Sequence, residues 1–469
     1  MPDSGTNSGP DLLLTLQPGN GIALRVQLET ALRDGVRTGR LAAGQRLPAS
    51  RVLAADLGVS RRLVVDAYTQ LAAEGYLHTR TGSGTTVSLV EPSAAPPADP
   101  PAERRPPRWD LRPGTPDLAH FPRRAWRRAW LAALTAAAND DFGYPDTAGH
   151  PHLRTVLAAY LTRVRGVAAT PETVLVCGGV TQGLDLLCHG MRRAGASTVA
   201  LEDPGLPHRA PIIVRAGLRP RPIPVDADGL IVDALPERGI DAVLITPAHQ
   251  FPTGAVLAPQ RREALVAWAA RTGAVIVEDD YDGEFRFDRR AIGSLQGRAP
   301  GSVVYLGSTS KTLGPGLRLG WLVGPAPLIE QLVVHKFLTD HGSATLEQLA
   351  LAELIGNGGY DRHIRQSRAR YKNTRAALET AIARHRLPLL LPGIPAGLQT
   401  MATLPDTCDA DLFRDRAEAV GVAFDSVTRY QHTPHRTHSV VLGYGNIGTN
   451  GIDQAAGQLA ELFATEFAG

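Results

Sequence analysis

Ser308-Thr309-Ser310-Lys311-Thr312, directly behind the apolar run Val303-Val304-Tyr305-Leu306, decides how this chain is read. The chain has 49 basic residues, and only Lys311, Lys336 and Lys372 are lysines. Arginine is therefore the default wherever a positive charge is enough. A guanidinium stays protonated and forms no imine, whereas a lysine amine can shed its proton and condense with an aldehyde. The pattern predicts an imine lysine just past the end of a buried strand.

Working outward, further short apolar, β-branched runs occur at Val174-Leu175-Val176, Thr198-Val199-Ala200-Leu201, Ala242-Val243-Leu244-Ile245 and Ala274-Val275-Ile276-Val277. Helical stretches such as Arg261–Arg271 separate them. This alternation predicts an α/β unit with a mainly parallel sheet buried on both faces. Sites in such folds form at the carboxyl ends of the strands.

An imine lysine of this kind suggests pyridoxal phosphate. That cofactor needs an acid for its ring nitrogen, a donor to its ring hydroxyl and a cradle for its phosphate. Glu278-Asp279-Asp280-Tyr281-Asp282 follows the fourth of these runs; Asp279 is the candidate acid and Tyr281 the candidate phenol donor. Gly178-Gly179-Val180-Thr181 opens a helix, so the Gly179 and Val180 amides and the Thr181 hydroxyl can bind phosphate at a positive helix end. Ser308 and Ser310 are further phosphate ligands, and Arg318 can close the anion site with a bidentate contact.

The amino-terminal part has a different character. Between Glu91 and Arg108, 18 residues hold seven prolines, which predicts an extended spacer (91–108) between a small domain at 21–90 and a large one at 109–469. Leu24, Leu28, Leu32 and Val36 share one helical face. Pro48-Ala49-Ser50 opens a short second helix ended by Gly58. Ser60 caps a third that carries Val64, Val65, Tyr68 and Leu71 inward. Two strands, near 76–80 and 85–89, flank the turn Gly82-Ser83-Gly84. Helix, turn, capped helix and hairpin in this order predict a winged helix-turn-helix. Five arginines between Arg40 and Arg62 stand against one acid, Asp56. Arg61 and Arg62, in the first turn of the third helix, are placed to meet base edges. Ser50 and Ser60, with Arg46 and Arg51 nearby, favour phosphate contacts. Arg80 and Ser83 would carry the wing tip to double-stranded DNA.

The bulk numbers leave the DNA reading to this local cluster, because the net charge is only +3. The three cysteines, Cys177, Cys188 and Cys408, fit no disulfide or zinc spacing and point to a reduced, cytoplasmic setting. No stretch reads as a membrane span.

Leu47-Pro48-Ala49-Ser50-Arg51-x-Leu53-Ala54-x-x-Leu57-Gly58-Val59-Ser60-Arg61, then Ala67-Tyr68-x-x-Leu71-x-x-Glu74-Gly75-Tyr76, resembles the GntR-type winged-helix regulators. Tyr144-x-Asp146-x-x-Gly149, Glu202-Asp203-Pro204-Gly205, Thr246-Pro247-x-His249-Gln250-Phe251-Pro252-Thr253-Gly254 and Ser310–Gly320 resemble the fold type I aminotransferase-like half of the MocR-type branch of those regulators. The resemblance implies a homodimer with swapped, head-to-tail winged helices, in which Tyr144 reaches the partner's site. It also implies a regulator responsive to pyridoxal phosphate, governing vitamin B6 synthesis or amine metabolism, rather than an enzyme. A working aminotransferase carrying a DNA-binding domain is the alternative. Three departures from the pattern bear on turnover: Leu206 where relatives carry tyrosine, Val180-Thr181 for a more polar pair, and Val441 at an aminotransferase's substrate arginine. Arg209 and Arg429 remain as candidates for gripping an effector carboxylate. In the third helix, Leu63-Val64 stands where a polar pair is commoner.

Overall fold

The computed structural model describes residues 15–80, 84–89, 106–287 and 292–467. The chain divides into two compact units, Met1–Arg105 and Pro106–Gly469.

The amino-terminal unit consists of helices α1 (Leu24–Arg37), α2 (Ser50–Asp56) and α3 (Arg61–Ala73), followed by strands β1 (Leu77–Arg80) and β2 (Gly84–Val87). The strands pair antiparallel, Leu77 opposite Val87 and Arg80 opposite Gly84. Leu28, Leu32 and Val36 of α1 meet Leu53 of α2 and Val64, Ala67, Tyr68 and Leu71 of α3 in one core. The Tyr68 hydroxyl donates to the Pro48 carbonyl at 3.0 Å, which ties α3 to the entry of α2. Val65 departs from expectation: it is 40% exposed, and Ala67 takes the inward place. The helical repeat explains this, since Ala67, Tyr68 and Leu71 lie three, four and seven residues after Val64, while Val65 is a hundred degrees round. Val64→Ala should therefore cost about 2 kcal/mol in equilibrium unfolding. Val65→Ala should stay within about 0.5 kcal/mol.

The larger unit is built on an eight-stranded sheet: β3 (Val174–Cys177), β4 (Thr198–Asp203), β5 (Arg219–Asp226), β6 (Gly229–Leu230), β7 (Ala242–Ile245), β8 (Val275–Asp279), β9 (Val303–Ser308) and β10 (Gly320–Val323). Its order is β3-β10-β9-β8-β7-β4-β5-β6. The run from β9 through β8, β7 and β4 to β5 is parallel, whereas β10 lies antiparallel to both β9 and β3. Alternate residues serve opposite faces. Ala242 and Leu244 pack with Leu187 and Ile213. Val243 and Ile245 pack with Leu265 and Trp268 of the helix Pro259–Thr272. Burial on both faces is why these strands are continuously apolar in sequence. A smaller antiparallel sheet, Gln399–Thr403, Ser439–Gly443 and Asp425–Ser426, lies toward the carboxyl terminus with the long helices Gly359–Arg384 and Thr449–Glu466. Among the described residues no helix is long and apolar enough to cross a membrane.

Candidate functional site

The carboxyl ends of β8 and β9 open into a cleft of about 420 Å³. Register brings them level, with Leu306 opposite Asp279. Just past β9, Lys311 is half-buried at the cleft, and its Nζ donates to the Gly114 carbonyl. Burial holds the Lys311 amine below the usual lysine range, against the opposing pull of the Asp282 and Asp279 carboxylates. The other lysines are placed differently. Lys336 is fully buried with Nζ 2.9 Å from both Asp340 oxygens, and Lys372 is exposed on the helix Gly359–Arg384.

Strand alternation separates the acids of Glu278-Asp279-Asp280. Glu278 accepts from the Leu295 and Gln296 amides at 3.0 Å, and burial pushes it up to about 7. Asp280 is gripped by Arg165 through contacts of 2.6 and 3.1 Å, and accepts from the Tyr305 hydroxyl at 2.8 Å. Asp279 alone of the three lines the cleft. Burial raises its pKa, and the Arg209 guanidinium, which donates through Nη2 to Asp279 Oδ2, opposes that shift. Arg209, a candidate carboxylate grip in sequence, thus has one of its donors, Nη2, already held by a buried acid. It lines the cleft at the start of the helix Arg209–Arg215, where a buried acid captures it.

The candidate phosphate residues meet at the other end. Gly179, at φ 101°, is the N-cap of α4 (Val180–Arg193). A Cβ on Gly320 would lie 2.6 Å from Gly179 Cα, so the two backbones touch. Because β10 is antiparallel, its start returns Arg318 to the edge at which α4 begins. A Cβ on Gly179 would sit 3.4 Å from Arg318 Nη1. Arg318 adopts the left-handed conformation at φ 52°, and no acid pairs with it among the described residues. Val180, Thr181, Ser308 and Ser310 line the same cleft.

The Tyr281 hydroxyl accepts from Gln399 Nε2 at 2.8 Å and lies 3.1 Å from His249 Nδ1, which is 2.7 Å from Asp282 Oδ2. Arg429 borders the cleft, 64% exposed, with only a 3.4 Å contact to Asp425. Tyr144 is not brought into the cleft of its own chain; it is 92% exposed, its ring 5.9 Å from that of His341. Gly114, His208, Phe251, Gln399 and Tyr430, none of them a candidate site residue in the sequence reading, are among the other residues that line the cleft. Nothing local marks them, because tertiary folding brings Gly114 to Lys311 from 197 residues away.

In the amino-terminal unit, Ser60 caps α3 by accepting from the Leu63 amide at 3.3 Å. Arg61 Nε lies 3.5 Å from Ser50 Oγ, so the starts of α2 and α3 converge. Arg62 is 91% exposed, 3.8 Å from Asp66, and Arg51 is exposed too. Arg46 bridges to Thr86 and lies against Gly84, whose added Cβ would be 2.9 Å from Arg46 Nε. Arg80 pairs with Gly84 beside it. Ser83 lies outside the described residues.

Two family models match this chain. Residues 24–87 match the bacterial regulatory proteins of the gntR family, and residues 111–435 match aminotransferase class I and II. The chain belongs to the MocR-type branch of the gntR family, in which a winged helix is joined to an aminotransferase-like domain of fold type I. It is 32% identical to the probable rhizopine catabolism regulatory protein MocR of Rhizobium meliloti, over 96% of either chain. It is also 32% identical to the pyridoxine biosynthesis transcriptional regulator PdxR of Corynebacterium glutamicum, over 93% of this chain and 95% of that one. Among solved structures it is similar to the α-aminoadipate aminotransferase LysN of Thermus thermophilus, complexed with N-(5'-phosphopyridoxyl)-L-leucine. The identity there is 26% and the TM-score 0.68, over 76% of this chain and 92% of that one.

Proposed function

We propose that this chain is a transcriptional regulator whose larger unit binds pyridoxal phosphate and whose winged helix binds operator DNA in response. The observation that carries the reading is the convergence, in one cleft, of a lysine amine, a buried acid and an arginine that no acid among the described residues pairs with. The residues fit the cofactor. Asp279 Oδ1 is buried with no hydrogen-bond partner among the described residues, as an acceptor for a ring-nitrogen proton would be. The Gly179, Val180 and Thr181 turn, with Ser308, Ser310 and Arg318, offers donors suited to a phosphate. Tyr281 presents a phenol between them, and Lys311 is the amine for covalent capture. Bound there, pyridoxal phosphate supplies an aldehyde that an amine can condense with. Arg209 and Arg429 are the cations for an effector carboxylate.

The exposed ring of Tyr144 supports a homodimer in which it completes the partner's phosphate site. Swapped winged helices would then read two half-sites, through Arg61 and Arg62 at base edges and Arg46, Ser50, Arg51, Ser60, Arg80 and Ser83 along the backbone and wing. A sensor is favoured over a working aminotransferase by the engagement of Arg209 on Asp279 and by Val441, which is fully buried in the small sheet. The name of PdxR makes vitamin B6 synthesis the first target to test.

Titrating the DNA upstream of the chain's own gene, with and without pyridoxal phosphate, tests the reading. Operator affinity should change at least about fivefold on cofactor binding; equal affinities would sink it. Arg61→Ala and Arg62→Ala should each lose about 1–3 kcal/mol of operator binding per base contact. Unchanged affinity in both would remove α3 from the interface.

A further inference from the structure

Lysine is scarce in this chain, and Lys311 is only one of the three. Lys336 is fully buried on the helix Ala326–Asp340, and its Nζ donates to both oxygens of Asp340 at 2.9 Å. Burying a cation is costly even when it is paired, so its place calls for a use. The hydrogen bonds lead on from there. Gln182 Nε2 donates to Asp340 Oδ2 at 2.6 Å, and Gln182 Oε1 accepts from the Gly178 amide, also at 2.6 Å. The Gly342 amide donates to the other Asp340 oxygen at 2.9 Å. A row of bonds thus runs from an interior ammonium to the first residue of the glycine turn.

We propose that Lys336, Asp340 and Gln182 form a brace that presets the turn Gly178-Gly179-Val180-Thr181 for a phosphate dianion. The inference rests on the cofactor reading above and assigns the residues that hold its phosphate turn in shape. Two adjacent glycines are the freest backbone a chain can have, and Gly179 must hold φ at 101° for α4 to begin there. Order imposed during folding need not be imposed again when a ligand arrives. The brace imposes it through polarity. A carboxylate only accepts, so Asp340 turns the Gln182 amide with Nε2 toward itself and Oε1 toward the Gly178 N–H. A reversed amide would set oxygen against oxygen and donor against donor. Lys336 holds Asp340 in place, and its compact ammonium suits a buried position facing one carboxylate better than a five-donor guanidinium would. With Gly178 tied back, the amides of Gly179, Val180 and Thr181 stay at the open end of α4, where a helix has no partners of its own for them. None of the three side chains is among those lining the Lys311 cleft, so they are positioning residues.

The test compares pyridoxal phosphate with pyridoxal, which differ by the phosphate alone, on the full chain, by the absorbance of the captured aldehyde. Wild type should bind the phosphate form more tightly. In Gln182→Leu and in Lys336→Met that preference should fall at least about tenfold, with pyridoxal bound as in wild type. The unchanged pyridoxal arm separates positioning from a merely structural role, since damage to the fold weakens both ligands. Gln182 is only half-buried, so its variant keeps the test open should Lys336→Met not fold. Because the residues act in series, the double variant should lose no more than the worse single variant. A wild-type preference in either single variant, or losses that add in the double, overturns the proposal and leaves the cofactor reading intact. So does a parallel loss of both ligands. Wild type that binds the two ligands equally overturns the phosphate assignment of the turn and this inference with it. Wild type that captures neither sinks the sensor reading as well.

Discussion

Lys311→Ala should abolish the effect of pyridoxal phosphate on operator binding while leaving binding without the cofactor as in wild type. Lys311 belongs to the larger unit, and the candidate DNA residues all lie within residues 46–83. Neither neighbouring chemistry nor the other lysines can substitute. Lys336 is locked on Asp340 in the interior, and Lys372 lies on the exposed side of a helix away from the cleft lining. The cradle of Gly179, Ser308, Ser310 and Arg318 remains in the variant, so residual, reversible binding of the phosphate is expected, and dialysis should remove it. Anisotropy titrations of labelled operator DNA with wild type and variant, each with and without cofactor, check this. A variant that still responds to pyridoxal phosphate would show that covalent capture is not what is read out.

Arg165→Ala should have the largest effect on stability. Arg165 is 5% exposed at the end of the helix Pro151–Arg165, and its partner Asp280 is 1% exposed. Between them run two side-chain hydrogen bonds, and a third joins Arg165 Nη1 to the Gly283 carbonyl at 3.2 Å. Removing the guanidinium leaves the Asp280 carboxylate buried with the Tyr305 hydroxyl as its one side-chain donor among the described residues. An uncompensated buried charge costs about 3–5 kcal/mol. Asp280→Asn in the same background should recover much of that, since it removes the charge rather than restoring the partner. Cofactor affinity should fall in the single variant too, because Asp280 adjoins Asp279 at the end of β8. Urea unfolding of the single and double variants checks both statements. A cost below about 1 kcal/mol would mean that the carboxyl simply takes up a proton.

Most of the fold was legible where one local rule acts alone. The capping serine, the glycine stops and the apolar spacing of α1 specify the winged helix almost residue by residue. Val65 was misread because adjacent β-branched residues look alike in a sequence, although only one of them faces the core. The parallel strands were visible as apolar runs. Strand β5 was not, because Pro220, Pro222 and Pro224 argue against a strand. Alternation resolves this. The Arg219 amide donates to Ser197 on the β4 side, so the interleaved prolines lack their donors toward the outer side, where only the two-residue β6 pairs. Strand β10 was missed, because it begins only at Gly320, the last residue of a motif read for its chemistry. Its antiparallel direction, which no local signal carries, is what brings Arg318 beside Gly179.

The site divides in the same way. Lys311, the acidic run and the glycine turn are each contiguous in sequence, and each follows a strand. The engagement of Arg209 on Asp279 spans 70 residues and depends on β4 and β8 both flanking β7 in the sheet. The roles of Gly114, Gln399 and Tyr430 likewise exist only in three dimensions.

Covalent capture at Lys311 is directly measurable, because the chain has only two other lysines, Lys336 and Lys372. The full chain is treated with pyridoxal phosphate, reduced with borohydride, digested and mapped by mass spectrometry. The phosphopyridoxyl mass should appear at one equivalent on the peptide bearing Lys311, with Lys336 and Lys372 unmodified. Label confined to Lys372, or an unmodified Lys311 at saturating cofactor, would show that Lys311 is not the capturing amine.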